Sequence, residues 1–277
     1  MEYIQKNKLK ILNLLIMEQK VEMNLKGVEE TLLILLYARS LEASRDNPRF
    51  RDQKAIEMVN KIDYDFSKFK SAKLSIDGTI SRTIIIDRMI NRFIKKHENC
   101  IVISIGCGLD TRFNRLDNGK ITWYEIDLPE VIELRRKFFT ETERHKMIGK
   151  SCFDEEWLNM INEFNAKPVL ILSEGVLMYF TKEQVISLFQ MIRKKIPNAT
   201  FIIELMTHFI ADHSSWHDSV GKTGNTFKYG VSSANELETY IDGLKYDYEE
   251  NLSNELGWFM GLILRAFNNR IAQFHFE

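Results

Sequence analysis

The segment Ile101-Val-Ile-Ser-Ile-Gly-Cys-Gly-Leu-Asp-Thr-Arg112 constrains this chain more than any other. A short apolar, β-branched run ends at a Gly-x-Gly turn with an acidic residue just after it. The run reads as a buried parallel strand. The turn reads as a place where backbone comes close to a ligand, because glycine has no Cβ to block the approach. The next strand-like run, Trp123-Tyr-Glu-Ile-Asp127, puts Asp127 19 residues beyond Gly108. At that spacing a carboxylate meets the ribose of an adenosine-type cofactor. Glu125, two residues earlier and on the same strand face, competes for this role, and Asp127 could also cap the helix expected to begin at Pro129.

The form of this turn that binds nicotinamide cofactors is G-x-G-x-x-G, opening a helix toward a pyrophosphate. Here Thr111 takes the third glycine position, and Asp110 lies inside the turn, where its carboxylate would repel a phosphate. S-adenosylmethionine carries no phosphate, and its sulfonium and ammonium both tolerate nearby carboxylates. The residues favour S-adenosylmethionine, with an NAD(P)-dependent oxidoreductase as the alternative.

At 277 residues the chain is long enough for one domain with an elaboration. Charge is balanced, 38 basic against 39 acidic residues, without the basic stripe of a nucleic-acid binder. Cys100, Cys107 and Cys152 are odd in number and lack metal spacing, which suits a reduced, cytoplasmic protein. No apolar stretch approaches the roughly 20 residues of a membrane span.

Apolar spacing predicts helices at 3–19, 28–45, 52–62 and 79–97, forming an N-terminal helical region (1–98) that packs beside or over the cofactor site. Strands are expected at 100–105, 121–126, 168–173 and 199–205, with late strands at 246–250 and 271–276. Helices fit at 129–142, 154–164 and 181–195. Pro129 starts the first of these, and Thr181 with Gln184 makes a capping box for the third. This order gives an α/β, Rossmann-like sheet over residues 99–277, with a substrate-facing insertion near 206–235.

The words Ser104–Phe113, Trp123–Val131 and Ser173–Tyr179 (SEGVLMY), with Gly27–Leu32 and Tyr37-Ala-Arg39 upstream, resemble the leucine carboxyl methyltransferase family. The likeness is strongest to its bacterial branch of polyketide-biosynthesis O-methyltransferases, and it covers about residues 25 to 205. It implies a class I S-adenosylmethionine-dependent O-methyltransferase. The expected acceptor is a small-molecule carboxylate, with a phenolic or enolic hydroxyl next and a protein C-terminal carboxylate less favoured.

The resemblance also suggests roles. Arg82 of the R-x-x-x-x-D word would grip the cofactor carboxylate with its planar fork. Gly106, Cys107 and Gly108 would lie along the methionine part, and Asp127 with Leu128 beside the ribose. Ser151, Cys152 and Phe153 would border the adenine, with Asp154 either beside them or capping the next helix. Glu174 would hold the cofactor ammonium or a substrate group. Asp87 could orient the glycine turn or pair with Arg88. For chemistry at the acceptor, Tyr179 could donate a hydrogen bond. A histidine of the cluster His208, His213 and His217, chiefly His208, could act as base if the acceptor is a hydroxyl. The cluster lacks an H-E-x-x-H pattern, so a substrate-facing helix is preferred to a metal site.

Overall fold

A computed structural model describes residues 20–22, 29–161, 164, 166–212, 227–255 and 269–277. Among these, seven strands form one sheet in the order β3-β2-β1-β4-β5-β7-β6. They are β1 (Ile101–Ile105), β2 (Thr122–Asp127), β3 (His145–Gly149), β4 (Val169–Ser173), β5 (Thr200–Leu205), β6 (Leu244–Asn251) and β7 (Arg270–Phe276). The first five are parallel, and β7 inserts antiparallel between β5 and β6. The strand order reverses direction beside β1, so the carboxyl ends of β1, β2 and β4 open onto the crevice where ligands bind in such sheets.

Both faces of the sheet are covered. On β1, Ile101, Ile103 and Ile105 pack against Trp157, Leu158 and the helix Lys182–Lys195. Val102 points the other way, into a core shared with Ile85, Ile86, Met89, Ile90 and Phe93 of the helix Lys73–Lys96. That alternation follows from the two-residue period of a strand. The helix 73–96 therefore does more than cap the cofactor site: it forms one layer of the sheet sandwich. The helices Glu29–Ala43 and Gln53–Lys61 build a further cluster with Cys107, Leu109, Val131 and Ile132 that covers the glycine turn.

Most expected elements lie within a few residues of their observed bounds, and the Thr181–Gln184 capping box forms with both reciprocal hydrogen bonds. The helix expected at 129–142 stops at Arg135, and the one expected at 154–164 spans only Glu156–Asn159. The strand His145–Gly149 has no clear apolar run to fix its span, because His145 and Lys146 mask it; Ser151 and Cys152, expected where the third strand ends, lie just past its end. The helix expected at 3–19, residues His213 and His217, and the apolar tail 256–264 lie outside the described residues.

Candidate active site

One cavity of about 720 Å³ opens at the carboxyl ends of the parallel strands. Its lining brings together Arg82, Gly106, Cys107, Gly108, Asp127, Leu128, Ser151, Cys152, Phe153, Glu174 and Tyr179. His208 is not in that lining. It is exposed at the start of the helix His208–Asp212, and its backbone packs on Gly230, where a Cβ would come within 2.9 Å of the His208 Cα and N.

The glycine turn is held from several sides. Gly106 and Gly108 have φ of 64° and 48°, a region that side-chain-bearing residues rarely adopt. Arg135 donates to the carbonyls of Gly108 (2.7 Å) and Asp110 (3.0 Å), and Arg39 donates to that of Leu109 (2.8 Å). A Cβ on Gly106 would lie 2.3 Å from Val176 Cγ2. Gly106→Ala is therefore expected to destabilise the protein by about 2 kcal/mol and to weaken cofactor binding. Thermal unfolding and a binding titration check this, and a second change, Val176→Ala, should recover part of the stability.

Asp127 Oδ2 accepts from the Gly108 amide at 2.7 Å, and Oδ1 accepts from its own neighbour Leu128 N at 2.8 Å. It does not cap the helix Pro129–Arg135. Burial raises its pKa, and the two backbone donors only partly oppose that. Its competitor Glu125 lies under the sheet, 1 % exposed, ion-paired with Arg135 and 3.3 Å from His145 Nε2. Of the two carboxylates, only Asp127 faces the cavity.

Asp110 accepts from the amides of Thr111 (2.7 Å) and Arg112 (3.1 Å) and pairs with Arg112 Nη1 at 2.8 Å. Burial opposes its ionisation, but Arg112, Arg39 and Arg115 outweigh burial and hold its carboxyl well below the usual range. A dinucleotide would need those same amides for its pyrophosphate; here the protein's own carboxylate occupies them.

Sequence reasoning gave no role to Arg112, which is the centre of the network. It is 1 % exposed and reaches Asp87 (2.8 Å), Asp110 (2.8 Å) and Glu174 (2.5 Å). Asp87 pairs with Arg112 and Arg115, not with Arg88, which joins Glu250 and Glu255. Arg115 and Thr111 also reach the buried Asp52. The only signal in the sequence was the density of charge around a turn that must be buried.

Arg82 sits between two carboxylates. Its Nε lies 2.7 Å from Glu174 Oε1, and its Nη1 donates to both oxygens of Glu204 at 3.0 and 2.8 Å. Burial disfavours the ionised form of Glu174, but Arg112 and Arg82 reverse the balance and lower its pKa. Glu204 also accepts from Gly175 N and Asn269 Nδ2, both at 2.8 Å. Three donors make four hydrogen bonds to its two oxygens, so Glu204 acts as a clamp and not as a free base. Beside the expected adenine border, Asp154 accepts from Glu156 N and pairs with Lys150, the helix-start reading. Burial pushes the Cys152 thiol up to about 12, which makes it an apolar contact and not a nucleophile.

Comparison with known proteins fits this geometry. The leucine carboxyl methyltransferase family model matches residues 33–193, more than half of the chain. The chain is 30% identical over 223 residues to the tetracenomycin polyketide synthesis O-methyltransferase TcmP of Streptomyces glaucescens, covering 80% of this chain and 82% of that one. It is 29% identical to the S-adenosyl-L-methionine-dependent methyltransferase dpfgK of Gibberella zeae, covering 89% and 92%. The likeness to rat leucine carboxyl methyltransferase 1 is 26% and covers 49% and 51%. In fold it is similar to a DUF574 family protein from Streptomyces avermitilis, with a TM-score of 0.60 at 12% identity, covering 89% and 97%. The fold is that of a methyltransferase. The chain belongs to the leucine carboxyl methyltransferase family.

Proposed function

We propose that this protein is an S-adenosylmethionine-dependent O-methyltransferase acting on a small molecule, with a carboxylate as the preferred acceptor. The relatives that cover most of the chain are a polyketide-synthesis O-methyltransferase and an S-adenosylmethionine-dependent methyltransferase. The donor set fits that cofactor. Asp127 faces the cavity with no cation beside it among the described residues and has lone pairs left for a diol. The Arg82–Glu174 pair presents a cation and an anion together, the complement of an amino acid's carboxylate and ammonium. Cys152 and Phe153 give an apolar border for a base. When bound, S-adenosylmethionine supplies an electrophilic methyl on a sulfonium.

The rest of the chemistry is alignment and exclusion of water, which can lower such a barrier by about 7–11 kcal/mol. The observation that carries the acceptor reading is Tyr179. Burial, reinforced by Glu204, raises the pKa of its phenol, so it stays protonated in the cavity and can donate to an anionic oxygen. No histidine lines the cavity among the described residues, and a carboxylate, ionised near neutral pH, needs no base. Tyr179→Phe is expected to lower kcat/KM for methyl-ester formation about tenfold, with S-adenosylhomocysteine affinity unchanged. Wild-type turnover by the phenylalanine variant would remove Tyr179 from the acceptor site.

A further inference from the structure

Behind the glycine turn lies a buried ion pair. Glu125 of β2 is 1 % exposed, and Arg135, the last residue of the helix Pro129–Arg135, is 0 % exposed. Arg135 Nη2 pairs with Glu125 Oε2, and His145 Nε2 lies 3.3 Å from the same oxygen. Neither member of the pair lines the cavity. Such a pair is a poor device for stabilising a core, because apolar residues of similar volume often do as well or better. Its use has to be sought in something that apolar residues cannot supply.

Apolar residues cannot hold carbonyls. Arg135 Nη1 donates to the carbonyls of Gly108 and Asp110, at 2.7 and 3.0 Å. From the cavity side, Asp127 accepts from the amide of the same Gly108. Gly108 is thus gripped at its amide by the cavity-facing carboxylate and at its carbonyl by Arg135. At φ 48° a glycine has wide backbone freedom and keeps one conformation only where its surroundings fix it. The guanidinium is fixed in turn. Glu125 takes its other arm, and its carbon lies 4.5 Å from the centre of the Phe139 ring. We propose that Arg135, oriented by Glu125, is a positioning residue for the cofactor: from outside the cavity it sets the shape of the turn 106–110 and with it the place of Asp127. The inference rests on the S-adenosylmethionine reading above, and it gives a task to the strand carboxylate that does not face the cavity.

The test separates binding from stability, with full-length variants titrated with S-adenosylhomocysteine and melted without it. Arg135→Met strands Glu125 without its cation, so the melting temperature should fall by about 10 °C and the affinity by about tenfold or more. Glu125→Met/Arg135→Met removes both charges. Its melting temperature should recover most of that loss, whereas its affinity should stay about tenfold low, because nothing holds the two carbonyls. A purely structural pair would give the opposite result, with affinity returning alongside stability. That return, wild-type affinity in Arg135→Met, or a double variant no more stable than the single one would overturn the proposal. If the double methionine variant does not fold, Glu125→Leu/Arg135→Leu is read in the same way. Failure of both to fold would make the pair a requirement of the fold and would also overturn the proposal. Failure of the methyltransferase reading looks different: the wild type itself would then not bind S-adenosylhomocysteine, and this proposal would fall with it.

Discussion

Replacing Asp127 with alanine is expected to weaken S-adenosylhomocysteine binding about 100-fold or more while leaving thermal stability nearly unchanged. Each hydrogen bond from a neutral donor to a carboxylate contributes about 1.5–3 kcal/mol, and Asp127 has capacity for the two hydroxyls of a ribose. The fold depends on it far less. Burial without a cation already disfavours its charge, so removing the carboxylate relieves that cost and offsets the lost Gly108 hydrogen bond. The sign of the pH effect follows. A raised pKa means that Asp127 takes up a proton at a higher pH than an ordinary carboxyl. Affinity should therefore start to fall, as pH is lowered, at a higher pH than an ordinary aspartate would give, and Asp127→Asn should flatten that fall. Calorimetric titration across pH, with melting curves of the same samples, separates the two effects.

The second large effect is on stability. Arg112→Met should destabilise the protein by about 3–5 kcal/mol, because it removes a buried cation from Asp87, Asp110 and Glu174 together. For a chain of this size that corresponds to a melting temperature lower by about 10 °C. Arg112→Lys should restore little, since one ammonium cannot reproduce the fork that reaches three carboxylates. The pH dependence supports the same point. In the wild type Asp110 is held well below the ordinary range, so its contribution to stability is fully present above the unfolded pKa of about 3.9 and is lost only as pH falls further. Without Arg112 the folded pKa moves up toward the unfolded value, so this contribution shrinks and stability falls less steeply as pH is lowered. Denaturant unfolding of wild type and variant at several pH values between 3 and 7 would read this directly; parallel stability curves would argue that Arg112 does not hold Asp110.

The sheet was legible because its strands are short runs of buried branched residues that end in glycine or acid, as in Ile101–Ile105 before Gly106. The cavity-lining residues were legible for the same reason: strand ends in a parallel sheet converge on one crevice, and Gly106, Gly108, Asp127 and Glu174 are strand ends. What stayed hidden depends on contacts between distant segments. The choice between Asp127 and Glu125 rests on Arg135 and His145, which fill the space under β2. Asp87 finds its partners in a helix 25 residues away, and no spacing rule predicts that. Asn269 has no local pattern at all; it joins the site through Glu204, 65 residues earlier in the chain. His208 shows the opposite failure, a chemically suitable side chain left exposed at the start of its helix and outside the cavity lining.

Titration of the purified protein with S-adenosylhomocysteine and, separately, with NADH bears most directly on the identity of the cofactor site. Saturable binding of S-adenosylhomocysteine, lost in Asp127→Ala, with no heat from NADH, is the expected result. Binding of NADH in place of S-adenosylhomocysteine would mean that the Gly106 turn does take a pyrophosphate, and that Asp110 does not close its amides against one.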